Sequence, residues 1–152
     1  MLNARLLSLL AFVVIAVGGG LFIGYITAPG EWYAALEKPS FNPPNWVFGP
    51  AWTVLYVLIA IAGWRVWNRD RNGVPMKLWW GQLALNFLWS PVFFSAHLIG
   101  LALLIISALL VVILAFIASG WNRDRVAAML FVPYAAWVAF ASMLNGAIFI
   151  LN

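Results

Sequence analysis

The chain has 152 residues, of which 66% are hydrophobic and only 8% charged, with a mean hydropathy of +1.00. A water-soluble domain carries about 25% charged residues, so this chain cannot cover a water-facing surface and belongs in a membrane. The formal net charge of +4 is spread over short connections, which argues against a nucleic-acid partner, and the lack of cysteine excludes disulfides, thiolate metal sites and thiol nucleophiles.

Five runs approach the roughly 20 apolar residues that a helix needs to cross hydrocarbon: residues 6–26, 46–67, 77–95, 98–119 and 126–151. None alternates like a barrel strand, and backbone groups in lipid must pair within their own segment, so all five are predicted helices. The first run exceeds the roughly 7–15 residues of a signal-peptide core and is read as a retained span. The connections are 27–45, 68–76, 96–97 and 120–125. The expected fold is therefore an all-α membrane protein, a five-transmembrane-helix bundle forming one integral-membrane domain over 1–152.

The long first connection leads into the second run through Trp32, Tyr33, Pro39, Pro43, Pro44, Trp46, Pro50, Trp52 and Tyr56. Proline fixes φ and biases the preceding residue away from helix. This Pro/Trp-rich stretch is expected to be a stiff, ordered crossing that acts as a lid. Charge sets the orientation: with five spans, Arg5, Arg65, Arg69, Arg71, Lys77, Arg123 and Arg125 fall on one side and Lys38 alone on the other. In a bacterial inner membrane the basic side, with the N-terminus and the second and fourth connections, is expected to be cytoplasmic. Trp64, Trp67, Trp79, Trp80 and Trp121 lie near span ends on that side, where an aromatic belt is expected. The pentapeptide Trp-Asn-Arg-Asp-Arg closes both the second and fourth runs, at 67–71 and 121–125.

No Asp, Glu, Lys or Arg lies at depth in a span, which argues against a proton or ion pump. The single histidine, His97, has no acidic neighbour in sequence and reads as an interfacial turn residue; no metal and no cofactor are expected. What remains is polar and aromatic stripes. Gln82, Asn86 and Ser90 share one face of the third run, with Trp89 and Phe93 adjacent; Tyr134, Trp137, Ala141 and Asn145 share one face of the fifth; Trp52 and Tyr56 are one turn apart in the second. Pro50, Pro91 and Pro133 are expected to kink these three spans so that they open into a cavity beneath the lid. Aromatic walls with a few amides suit a flat, largely apolar ligand. The competing reading makes Gln82, Asn86 and Asn145 hydrogen-bond glue between helices.

Three motifs, W-Y-x-x-L-x-K-P-x-x-x-P-P-x-W-x-F-x-P-x-W-x-x-L-Y (Trp32–Tyr56), Q-L-x-L-N-x-x-W-S-P-x-F-F (Gln82–Phe94) and V-P-Y-x-x-W-x-x-F-A-x-x-L-N (Val132–Asn145), resemble the signature of the TspO/MBR family. This family includes bacterial tryptophan-rich sensory proteins and the translocator protein once called the peripheral benzodiazepine receptor. The resemblance implies a homodimer of five-helix bundles in the lipid bilayer that binds porphyrins of the protoporphyrin IX type, and benzodiazepine or isoquinoline-carboxamide drugs. It places ligand contacts at Trp32, Tyr33, Pro43, Trp52, Asn86, Trp89, Phe93, Trp137, Ala141 and Asn145. It also implies an enzymatic alternative, light-dependent porphyrin breakdown, for which Trp52 and Trp137 are the matching tryptophans. Animal members carry an L/V-x-Y-x-K/R cholesterol motif, whereas no Lys or Arg follows Tyr134 here. That departure favours a bacterial, tetrapyrrole-linked sensing role over a sterol or lipophile transporter. A third alternative is a structural partner acting through small-residue faces, Gly20 and Gly24 in the first span and Gly81, Ala84 and Leu85 in the third.

Overall fold

The structure is a computed structural model and describes residues 3–152. Asn3 starts helix α1 (Ala4–Val13) by accepting the Leu6 N–H at 2.8 Å, which satisfies one of the open donors of the first turn. The rod continues through a π-helical turn at Val14–Gly18 into α2 (Gly19–Ile26). A short helix α3 (Glu31–Ala35) lies in the first connection, and a 3₁₀ turn at Asn45–Val47 leads into α4 (Phe48–Arg69). Helix α5 (Val74–Ser90) runs into a second π-helical turn at Pro91–Ser95, followed by α6 (Ile99–Gly120), α7 (Arg125–Leu130) and α8 (Val132–Leu151). No strand occurs among the described residues. Four helical rods, Ala4–Ile26, Asn45–Arg69, Ile99–Gly120 and Arg125–Leu151, are long and apolar enough to cross a membrane, so this is an all-helical integral membrane protein. Helix α5 packs along α6, and α6 along α8.

Lipid offers no hydrophobic drive between helices, so close packing and buried hydrogen bonds hold the bundle together. Glycines make the close approaches. A Cβ on Gly20 would lie 2.3 Å from the Tyr56 ring, and one on Gly63 would lie 2.4 Å from the Trp79 indole. Trp79 is fully buried between Gly63 and Phe12, with its N–H donated to the Ile59 carbonyl at 2.9 Å. The belt position expected for Trp79 is therefore a core position. Trp80 and Trp121 do remain exposed.

The three prolines expected to kink their spans stand in different places within them. Pro50 sits in the first turn of α4, where a missing N–H removes no intrahelical bond. Pro91 opens the π-helical turn that ends α5. Pro133 stands in the first turn of α8, which follows α7 after the single residue Phe131.

The arginine-rich end is closed by one carboxylate. Asp124 accepts from Arg65 Nε and Nη2, both at 3.1 Å to the nearer oxygen, and from Arg69 Nε at 3.0 Å, and it caps α7 through the Ala127 N–H. Burial works against its charge. The Arg65 and Ala127 hydrogen bonds and the positive fields of both arginines outweigh that and hold the carboxyl below its usual range. In each copy of the repeated pentapeptide the last arginine lies over the first tryptophan, Arg71 on Trp67 at 5.0 Å and Arg125 on Trp121 at 5.1 Å.

Candidate functional site

At the opposite end from Asp124, α2, the start of α4, the end of α5 and the second half of α8 surround a cavity of about 630 Å³. Its floor is built from hydrogen bonds that the helix faces bring together. Tyr56 donates its hydroxyl to Asn86 Oδ1 at 2.6 Å, Asn86 Nδ2 donates to the Tyr134 hydroxyl at 2.7 Å, and Tyr134 donates to Gln82 Oε1 at 2.8 Å. All four side chains are buried. In a low-dielectric interior such a chain both fixes helix register and carries a large penalty if broken. The glue reading thus describes Gln82, which lies below the cavity, while Asn86 takes part in both the network and the wall.

The walls are aromatic. Trp52 stacks on Tyr56 at 5.5 Å and meets Trp137 edge-on at 6.4 Å; Trp89 lies 5.3 Å from Phe93. Trp89 donates its N–H to Asn145 Oδ1 at 3.0 Å, and Asn145 Nδ2 donates to the Ile99 carbonyl, so this amide joins α5, α6 and α8. Trp137 Nε1 is buried on the cavity side of α8 without a hydrogen-bond partner among the described residues. Of the three wall indoles, Trp89 alone has a hydrogen-bonded donor among the described residues, and Trp137 has the buried unpaired one.

Of the ten residues implied as ligand contacts, eight line this cavity: Tyr33, Trp52, Asn86, Trp89, Phe93, Trp137, Ala141 and Asn145. Trp32 stands one layer behind, stacked on His97 at 4.0 Å and edge-on to Phe93. Pro43 is half-buried in the first connection and does not line the wall. His97 adopts φ 59°, the left-handed conformation that lets the chain reverse between the π-helical turn and α6.

The cavity also includes residues that sequence reasoning did not single out as contacts. Tyr56 had a signal, lying one turn from Trp52 on the same stripe. Thr27 and Ser90 share a hydrogen bond of 2.6 Å beneath the first connection, and Gly24 and Gly49 also border the space. For Thr27 and Gly24 no periodicity points inward, because the first span is apolar all round; Gly49 lies three residues before Trp52, on the stripe of Trp52 and Tyr56.

The first connection is held over this end by contacts with the 96–97 turn and α8. Trp32 stacks on the 96–97 turn and Phe41 lies edge-on to Phe140 of α8 at 6.2 Å, while Phe48 at the start of α4 lies edge-on to Trp137. Asn152 makes a two-way tie with Glu37, accepting its N–H at 3.0 Å and donating to its carbonyl at 2.9 Å.

Residues 11–151 match the TspO/MBR family model. The chain is 42% identical over 147 residues to the tryptophan-rich protein TspO of Archaeoglobus fulgidus, covering 95% of this chain and 94% of that one. It is 37% identical over 145 residues to protein CrtK of Rhodobacter capsulatus, covering 93% and 89% of the two chains. It is 39% identical over 134 residues to the human translocator protein, covering 83% and 79%. Family match and relatives agree along nearly the whole length, and the protein belongs to the TspO/MBR family.

Proposed function

We propose that this protein is a membrane-embedded binding and sensing protein for porphyrins of the protoporphyrin IX type, with occupancy of the cavity as its signal. The observation that carries the reading is the cavity itself: about 630 Å³, walled by Trp52, Trp89, Phe93 and Trp137, with Asn86 and Asn145 at its edges. A flat apolar macrocycle matches such walls by stacking and by area buried. The names of the relatives, tryptophan-rich, sensory and translocator, agree with a ligand-handling role. In this reading α5 with its π-helical turn is the third of five spans in a single domain, residues 27–45 are the lid, and the arginine-rich end is cytoplasmic. Benzodiazepine-like and isoquinoline-carboxamide drugs share the same flat, apolar chemistry. A homodimer in the bilayer is part of this reading. Quenching of tryptophan fluorescence by added protoporphyrin IX tests the reading. Trp52→Ala and Asn86→Ala are expected to weaken the apparent affinity about tenfold, as loss of about 1.4 kcal/mol requires. Unchanged affinity in both variants refutes it.

One observation favours the enzymatic alternative, light-dependent porphyrin breakdown. Trp52 and Trp137 meet edge to face, and the Trp137 N–H is unpartnered. A light-dependent product that disappears in Trp137→Phe while quenching persists establishes catalysis; equal yield with free tryptophan removes it.

A further inference from the structure

The walls of the cavity are not equally closed. The seam between α2 and α5 is shut at two levels. The Phe87 ring lies so near Gly19 that a Cβ there would come within 2.8 Å of it, and at the lid end Thr27 and Ser90 are hydrogen-bonded. The roof is tied down by the Asn152–Glu37 pair and by Trp32 on His97.

The seam between α2 and α4 behaves differently. It is tight at Gly20, which sits against Tyr56, and toward the lid the next glycines of the two helices make no such contact. Gly24 lies one turn beyond Gly20, and Gly49 lies two turns beyond Tyr56 in the same direction. Both border the cavity, and neither has an atom within 4 Å of where a Cβ would stand. Leu21 and Tyr25 border it as well, although they are 49% and 83% exposed. One stretch of α2 therefore faces the cavity and the exterior together. It forms the last two turns of the Ala4–Ile26 rod, at the level of one leaflet.

We propose that ligand reaches the cavity sideways, through this slot between Gly24 and Gly49, out of the leaflet farther from the arginine-rich end, while the lid stays closed. The inference rests on the cavity function proposed above and adds where its ligand comes from. A flat apolar molecule concentrates in the bilayer, because each Å² of apolar surface removed from water is worth about 25 cal/mol. Passage through the slot keeps it out of water, whereas passage under the lid would expose it and require breaking two ties. Glycine on both sides leaves the gap free of side chains.

The chain contains no cysteine, so Ala141→Cys places a single thiol on the cavity wall. The full chain is reconstituted in phosphatidylcholine vesicles and labelled either with an alkyl maleimide dissolved in the bilayer or with a sulfonated maleimide confined to water. The alkyl reagent is expected to label faster. Adding Gly24→Leu, or separately Gly49→Leu, is expected to slow it about tenfold, whereas Asn152→Ala leaves the rate unchanged. Both leucines enter open space, so the fold is retained, and circular dichroism and the unfolding midpoint verify this. The proposal is overturned if the alkyl rate is indifferent to both leucines, if Asn152→Ala accelerates labelling, or if the sulfonated reagent labels equally fast. Porphyrin quenching is read separately in the parent protein; its absence refutes the porphyrin reading, while the labelling ratios still decide the route.

Discussion

Asn86 uses both ends of its amide, accepting from Tyr56 and donating to Tyr134. Asn86→Leu keeps the bulk and removes both partners, leaving the Tyr56 donor and a Tyr134 acceptor site unmet in a buried place. An unsatisfied buried polar group costs about 1–3 kcal/mol, so this variant is expected to lower the unfolding midpoint in detergent more than Asn145→Leu, whose partners Trp89 and Ile99 are each less buried. Glycines offer a second comparison. Gly63→Ala drives a methyl into the fully buried Trp79 indole and is expected to destabilise by about 1–3 kcal/mol. Gly81→Ala meets open space and is expected to be neutral or stabilising, by up to about 1 kcal/mol of helix propensity. Equal midpoints for the two alanine variants would contradict this account of the α4–α5 contact.

Among elements, α7 depends on Asp124, which caps it and ties it to α4 through Arg65 and Arg69. The folded-state acidity of Asp124 is held below its usual range, so the group contributes stability that is fully present above the unfolded carboxylate pKa of about 3.9. That contribution disappears as pH falls through the folded value. The wild type is therefore expected to lose thermal stability as pH falls from about 5 through the lowered folded value, with Asp124→Asn less stable at pH 7 and flatter over that range. A midpoint difference independent of pH would show that the charge is not what holds the helix. The two pentapeptides show how identical sequence acquires different roles. Both place arginine over tryptophan, but Asp124 faces α4 and Asp70 only accepts the Asn72 N–H in its own turn.

At the scale of the whole molecule, the two ends are fastened by different chemistry, an ion cluster at one and neutral ties at the other. Loss of the Asn152 tie is expected to loosen the first connection without altering the bundle. In Asn152→Ala, amide hydrogen exchange over residues 31–41 is expected to accelerate while that of α6 is unchanged. Acceleration in both would mean that the connection and the bundle open as one unit.

Residence in a membrane and the all-helical class were readable from sequence, because hydropathy and composition act locally and sum along the chain. The stripes on α4, α5 and α8 were readable too, since the helical period alone decides which side chains share a face. Sequence could not show that Pro50 falls in a first turn, where it removes no intrahelical hydrogen bond, nor that Trp79 leaves the belt for a glycine notch on α4. Those outcomes depend on where helices begin and on which residues distant in the chain meet. The cavity is of the same kind. Tertiary structure alone decided that α2 and α4 touch at Gly20 and Tyr56 and that Gly24 and Gly49 beyond this contact stand clear of neighbouring atoms beside the cavity, because the distance between two helices is set by the side chains at their crossing, which no single segment encodes.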